Sequence, residues 1–149
     1  MKKILVMILA GIGDSLLVTP LLTQLRTIYP DAHLATLVMY DAVRDTLLRN
    51  KDIDEVIYFD FLREGHWKSL KFVFGLRKKK YDLSLLAYPA NRFQHNLISF
   101  LIGAKRRLAH RYEIKRFTSL SFLHTDRLSI DVERHTIEEN LKLLGLLGI

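Results

Sequence analysis

Residues 4–15 read ILVMILAGIGDS, and this stretch decides the fold class of the chain. Six consecutive apolar residues at 4–9 are typical of a strand buried on both faces of a parallel sheet, since a half-buried strand alternates. The glycine-rich turn at 10–14 then leads into apolar residues at helical spacing. A buried strand, a tight turn and a helix in this order predict the first unit of an open α/β sheet.

The rest of the chain continues this alternation of strand and helix patterns. Further strands are predicted at 34–39, 56–59 and 83–87, with short pieces at 107–109 and 128–130. Helices are predicted at 15–29, 41–49, 67–80, 91–102 and 135–147. Pro20 predicts that the first helix kinks or restarts, with Thr19 as cap and Pro20 as first residue. The pattern predicts one Rossmann-like three-layer α/β domain over residues 1–149, with a mostly parallel sheet.

The positive charge is concentrated in the middle of the chain. The net charge is +7, but residues 61–127 hold 15 basic and 4 acidic side chains, a surplus of 11. Such a surplus favours anionic partners. The absence of cysteine excludes disulfide scaffolds, zinc–thiolate sites and thiol nucleophiles. The histidines at 66, 95 and 110 lack metal-ligand spacing, so no metal site is predicted, and His135 is expected to cap or pack at the last helix.

The turn after the first strand does not have the pattern of a nucleotide site. A dinucleotide fingerprint requires a third glycine where this chain has Leu16, and no phosphate-binding Gly-Lys-Ser/Thr motif occurs. The carboxylate of Asp14 at the start of the helix would also repel a phosphate. Nucleotide binding at this turn is therefore disfavoured, and a nicotinamide-dependent oxidoreductase with it.

Two interpretations of Asp14 remain open at the sequence level. Aspartate in this position is commonly a helix N-cap. Alternatively, Ser15 serves as the cap and leaves the Asp14 carboxylate free to face a cleft. Gly11 and Gly13 favour the second interpretation, because they allow a sharp turn and the close approach of a ligand.

Several motifs resemble the heptosyltransferase family of lipopolysaccharide synthesis. The most specific is the Gly-Asp-x-x-x-x-Thr-Pro element at 13–20. The resemblance covers essentially the whole chain. It also includes KILV at 3–6, GIGDS at 11–15, LL at 21–22, LRTIYP at 25–30, YDL at 81–83, NRF at 91–93, GAKRR at 103–107, His135, ENL at 139–141 and the segment 144–149.

The resemblance implies an inverting glycosyltransferase of the GT-B arrangement, which has two Rossmann-like domains. This chain would be the N-terminal, acceptor-binding half, with Asp14 as general base for the acceptor hydroxyl. The C-terminal donor domain is absent from residues 1–149, so the nucleotide-sugar, commonly ADP-heptose, would be bound mainly outside this chain, and no cofactor is expected within it. The chain alone is accordingly expected not to transfer sugar.

The acceptors of that family are phosphorylated, Kdo-bearing lipid anchors, which suit the basic middle segment. Arg63 follows the third predicted strand, and Asn91 and Arg92 follow the fourth, so all three are expected at the carboxyl edge of the sheet. Arginine binds phosphate and carboxylate in a bidentate way. With Gly11, Gly13 and Ser15 they form the predicted substrate-binding set. Further candidates, whose edge of the sheet the sequence leaves open, are Arg106, Arg107 and Arg111.

Two other partners are considered. The alternative function is a nucleic-acid-binding basic α/β domain. The sequence has no recognisable nucleic-acid-binding motif, such as a helix-turn-helix, so no nucleic acid is expected as a partner. A membrane contact is suggested by aromatic residues between basic ones at 67–77, although core packing explains most of these aromatics, and the basic run at 77–80 is predicted to be a solvated helix end. Because no apolar run approaches the roughly 20 residues that span a bilayer, a cytoplasmic protein, at most peripheral on the inner membrane, is expected.

Overall fold

The computed structural model describes residues 1–90, 92–112 and 118–149, and its centre is a six-stranded sheet. The strand order is β3-β2-β1-β4-β5-β6, and every pairing is parallel rather than mostly so. Strands β2 and β3 are added on one side of β1, and β4 to β6 on the other. The point between β1 and β4 where the strand order reverses is a topological switch point, and such a point opens a crevice at the carboxyl ends of the strands. The strands are β1 Lys3–Ile8, β2 His33–Val38, β3 Glu55–Tyr58, β4 Leu83–Leu86, β5 Arg106–Arg111 and β6 Asp126–Ser129.

Helices cover both faces of this sheet. The helix predicted at 15–29 is in fact two helices, and the second begins at Thr19 with Pro20 in its first turn, which confirms the predicted restart. The cap position is occupied by Val18 rather than Thr19. The helices are α1 Ile12–Leu16, α2 Thr19–Ile28, α3 Asp41–Leu47, α4 Gly65–Arg77, α5 Phe93–Ile102 and α6 Thr136–Lys142, with 3₁₀ turns at Ser121–Leu123 and Leu143–Leu147.

The central strand β1 divides the core into two layers. Ile4, Val6 and Ile8 pack on one face with residues of α2 and the last 3₁₀ turn, whereas Leu5 and Met7 pack on the other with α4 and the end of α5. All five are almost completely buried. The predicted two-sided burial of the first apolar run is confirmed, and it makes the domain three layers thick.

The end of the chain differs from the prediction in detail. The helix expected at 135–147 ends at Lys142 and continues as a 3₁₀ turn, Leu143–Leu147. His135 is the N-cap, and its Nδ1 accepts a hydrogen bond of 3.3 Å from the amide of Ile137, which confirms the capping role. The short pieces expected at 107–109 and 128–130 are full members of the sheet, β5 and β6. Within the described ranges no helix is long and apolar enough to cross a bilayer.

Candidate functional site

A pocket of about 670 Å³ opens at the carboxyl edge of the sheet, at the switch point between β1 and β4. It is lined by residues that follow β1, β2, β3 and β4 and by residues of α4 and α5. Most of its lining is apolar, as in the small-molecule sites of other proteins. The polar groups that face it include Asp14, His66, Arg92 and His95.

Asp14 lies in the first turn of α1 and lines this pocket. The N-cap of α1 is Gly11, and no side chain caps the helix, so the capping interpretation of Asp14 is wrong. Its carboxylate has no hydrogen bond or ion pair with any residue in the described parts of the chain. A half-buried carboxylate without a protein partner is available to a ligand.

The neighbours of Asp14 differ from the sequence interpretation. Ser15 does not cap the helix: its side chain is fully buried, and its Oγ donates a hydrogen bond of 2.7 Å to the carbonyl of Ile12. Gly11 has a φ of −68°, and Gly13 is not among the positive-φ glycines, so the turn itself requires no glycine. A Cβ at Gly11 would meet no atom within 4 Å, and Gly11 lines the pocket. Gly13 and Ser15 do not line it.

Arg92 is the cationic residue of the predicted set that reaches the pocket. It follows β4 as the N-cap residue of α5, and it is exposed and lines the pocket. No carboxylate among the described residues pairs with its guanidinium. Arg63 lies in the loop between β3 and α4, but its side chain is 87% exposed with Nε 3.6 Å from Asp60 Oδ2, and it does not contribute to the lining. Asn91, predicted beside Arg92, lies outside the described residues.

The structure assigns an edge of the sheet to the remaining arginine candidates. Arg106 and Arg107 begin β5 and therefore lie at the amino edge, away from the pocket. Arg106 donates to Asp126 at 2.9 Å and to the carbonyl of Leu146 at 2.8 Å. Arg107 donates to the carbonyls of Ala104 and Leu123. Both anchor the structure, whereas Arg111, at the carboxyl end of β5, donates to Ser129 Oγ.

His95 is a site residue that the sequence interpretation missed. It lines the pocket, and its Nδ1 is buried without a hydrogen-bond partner among the described residues. Burial lowers the pKa of His95 to about 4, and the charge of Arg92 adds to this effect. At neutral pH the ring is therefore uncharged. The spacing of Arg92 and His95, three residues apart in a predicted helix, was the signal that could have placed them on one side of α5.

The loop that carries Arg92 is held by α6. The side chain of Asn140 accepts a hydrogen bond of 2.8 Å from the amide of Tyr88 and donates one of 3.2 Å to its carbonyl. The hydroxyl of Tyr112 accepts a further bond of 2.9 Å from the amide of Ala90. These bonds fix the backbone between β4 and α5 and hence one side of the pocket. Among the described residues there is no cluster of three potential metal ligands.

This arrangement defines a Rossmann-like α/β domain with a pocket at its switch point, the architecture from which each half of a GT-B glycosyltransferase is built. Several solved chains share the fold. The family 9 glycosyl transferase of Veillonella parvula superimposes with a TM-score of 0.78 at 22% identity, over 99% of this chain and 41% of that one. The E. coli heptosyltransferase WaaC, solved with ADP-2-deoxy-2-fluoro heptose, gives 0.81 at 17% identity, over 98% and 48%.

The same WaaC enzyme solved with ADP gives a TM-score of 0.77 at 17% identity, over 96% of this chain and 46% of that one. The chain thus spans less than half the length of these solved proteins. No protein-family model matches the sequence, and neither does any curated protein. At this level of identity the likeness establishes a heptosyltransferase-like fold, and any activity has to be argued from the pocket.

Proposed function

We propose that this chain is the N-terminal, acceptor-binding half of an inverting GT-B glycosyltransferase. The transferred sugar is heptose from a nucleotide-sugar, and the acceptor is the lipopolysaccharide inner core or a similar anionic glycan. The proposal rests on the observation that Asp14 and Arg92 line the same pocket, and that among the described residues Asp14 has no hydrogen-bond or ion-pair partner and Arg92 has no carboxylate partner. The fold shared with the heptosyltransferase WaaC supports it.

Asp14 is the general base in this proposal. The acceptor hydroxyl oxygen attacks the anomeric carbon of the sugar, and a new carbon–oxygen bond forms. The bond from that carbon to the nucleoside diphosphate breaks, and the diphosphate leaves with the electron pair. The hydroxyl proton passes to the Asp14 carboxylate, which is the role of a positioned base in such a transfer. A base needs a free carboxylate, and neither helix capping nor an ion pair with a described residue occupies Asp14.

Arg92 binds the anionic part of the acceptor. Its guanidinium offers paired donors that match a phosphate or carboxylate. His95, neutral at physiological pH, adds a hydrogen-bonding group without a second positive charge. The apolar walls exclude water and strengthen these polar contacts. Arg63, which is exposed in the loop between β3 and α4, Asn91 and Gly13 remain predicted acceptor contacts, whereas Ser15, predicted with them, is buried and supports the turn instead.

The donor nucleotide-sugar is bound mainly by residues outside this chain. The carboxylate at the first turn disfavours a diphosphate there, and the solved proteins with this fold are more than twice as long. We therefore expect no sugar transfer by the 149 residues alone with ADP-heptose and acceptor. A clear turnover by the purified chain would contradict this part of the proposal.

Acceptor binding is testable without the donor. Calorimetric titration with a delipidated, bis-phosphorylated Kdo fragment is expected to give binding to the wild-type chain, weakened at least tenfold in Arg92→Ala. Arg49→Ala is the matched control, because it removes the same charge from an exposed residue after α3, away from the pocket. Equal affinities of the two variants would overturn the assignment of the pocket.

The nucleic-acid alternative is resolved in the same titration. Duplex DNA that competes with the acceptor fragment, with affinity that falls steeply with salt and is unchanged in Arg92→Ala, would favour it. The structure gives no support for this outcome, since Arg106 and Arg107 are engaged with backbone carbonyls and lie at the edge opposite Arg92.

A further inference from the structure

The outer surface of the α4–α5 pair carries large apolar side chains in contact with solvent. The two helices pack against each other beside the sheet. Trp67 is 87% exposed and Phe74 48%, and Phe93 and Phe100 on α5 are exposed to a similar extent as Phe74. We call the set of six the α4–α5 face: Trp67, Leu70, Phe74, Phe93, Leu97 and Phe100.

Helical spacing gathers these side chains into one surface. Positions 67 and 74 of α4 are seven residues apart, and positions 93, 97 and 100 of α5 are four and three apart, so each set shares one side of its helix. Phe72, by contrast, points into the core and stacks on Phe59 with ring centroids 4.2 Å apart. The expectation that core packing explains most of the aromatics of α4 is thus wrong, because it holds for Phe72 but not for Trp67 and Phe74.

The segment that contains this face is rich in basic residues. Residues 65–112 contain eleven basic side chains and a single acidic one, Asp82. Asp82 is bound to Lys105 and to the amides of Lys2 and Lys3 at the amino edge of the sheet. Lys71 and Lys78 are exposed and share the outward side of α4 with Trp67 and Phe74.

We propose that the α4–α5 face docks on the surface of an anionic lipid bilayer. Aromatic side chains beside lysines are the combination that inserts shallowly into the headgroup region, where the rings meet the acyl boundary and the ammonium groups meet anionic headgroups. Helices α4 and α5 carry no acidic residue, and Glu64 just before α4 is paired with Lys68, so the exposed Lys71 and Lys78 make the surface complementary to negative charge. This binding is independent of the proposed transfer reaction.

The α4–α5 face and the pocket share residues. Leu70 and Leu97 belong to the α4–α5 face and also line the pocket. The docked face therefore borders the pocket. A ligand anchored in the membrane by acyl chains would reach Asp14 and Arg92 without leaving the lipid surface.

The single tryptophan makes the test direct, because Trp67 is the only indole in the chain. With vesicles containing one third phosphatidylglycerol in phosphatidylcholine, we expect a blue shift of the Trp67 emission and quenching by lipids brominated in the upper acyl chain. Pure phosphatidylcholine vesicles should bind at least tenfold more weakly. Raising the salt concentration should weaken binding to the anionic vesicles, since surface charges are screened.

Vesicle co-sedimentation with variants locates the surface. Phe74→Ser with Lys71→Glu is expected to lower partitioning at least tenfold. The matched control, Leu48→Ser with Arg49→Glu, removes an exposed apolar residue and a basic residue after α3 and should leave partitioning unchanged. All four sites are exposed, and circular dichroism checks that both variants remain folded. An unshifted Trp67 emission with anionic vesicles, or equal partitioning of the two variants, would overturn the proposal.

Discussion

At Gly11, an added methyl group is expected to affect stability and ligand binding differently. Its φ is negative, and an added Cβ would meet no atom within 4 Å, so alanine fits there without strain. Gly11→Ala should leave stability unchanged or raise it by about 0.4–1 kcal/mol, because it restricts the unfolded chain. It should at the same time weaken acceptor binding, because Gly11 lines the pocket and the methyl group adds bulk there.

Gly13→Ala is the matched control for this prediction. The site also has open space for a Cβ, but Gly13 does not line the pocket. Urea denaturation is expected to show both variants at least as stable as the wild type, and calorimetry to show weaker acceptor binding only for Gly11→Ala. An equal loss of affinity in both variants would support the ligand role for Gly13 that the sequence predicts.

His124 makes the stability of the domain sensitive to mild acid. It is buried, and its Nε2 donates a hydrogen bond of 2.7 Å to Asn96 Oδ1, because an amide oxygen only accepts. Burial lowers its pKa from 6.5 to about 4, with Arg107 and Arg127 adding to the effect. Between these values the unfolded chain takes up a proton that the folded chain does not. Stability therefore falls as the pH falls from 6.5 toward 4.

The expected slope is up to about 1.4 kcal/mol per pH unit for each such histidine. His95 and His110, whose pKa values are also lowered by burial, act in the same direction. Urea denaturation of His124→Gln, whose amide can still donate to Asn96, should give a shallower dependence than the wild type over this range. The control His66→Gln removes an exposed histidine instead. A wild-type slope in His124→Gln would contradict the assignment.

Helix α6 shows how one element positions another. Asn140 is fully buried, and its amide holds both backbone groups of Tyr88 at the start of the loop that leads to Arg92. Asn140→Ala leaves those groups without a partner and should destabilise the domain by about 1–3 kcal/mol. Glu138→Ala, on the exposed side of α6, is the control and should change stability by less than about 0.5 kcal/mol. Equal urea midpoints for the two variants would show that the bonds to Tyr88 contribute little.

Strongly apolar elements were predictable from the sequence, and elements with polar interiors were not. The run at 4–9 predicted β1 because both of its faces are apolar. β6 has only partly buried positions in alternation with exposed ones, so its four residues gave a weak signal. The buried side of α6 includes Glu139 and Asn140, whose burial depends on partners far away in sequence, such as Tyr88 and His110. Periodicity of apolar residues carries no information about such contacts.

The residues of the functional site were likewise predictable only in part. In a parallel sheet all strands end at one edge, so the loops after the first and fourth predicted strands, which carry Asp14 and Arg92, were expected at that edge; that the two residues line one pocket follows only from the observed pairing of β1 with β4. The sequence could not assign Arg106 to an edge of the sheet, because that depends on where β5 begins, and β5 was predicted only as a short piece. His95 was missed because only the packed structure shows that it is buried against the pocket.

The basic residues that dominate the composition serve three different purposes in the folded domain. Arg26 and Arg106 hold backbone carbonyls and carboxylates at the amino edge of the sheet. Arg92 faces the pocket, and Lys71 and Lys78 flank the α4–α5 face. The net charge alone indicates an anionic partner, but only the fold separates structural arginines from those that are available to bind one.

The central claim, that the pocket at the switch point binds an anionic acceptor, is tested most directly by mapping amide chemical shifts. The delipidated Kdo fragment is titrated into the ¹⁵N-labelled 149-residue chain. We expect the largest shifts on the amides of residues 9–14, 39–40 and 92–98, around Asp14 and Arg92. Shifts confined to the amino edge, around Lys79 and Arg106, or no shifts at saturating acceptor, would contradict it.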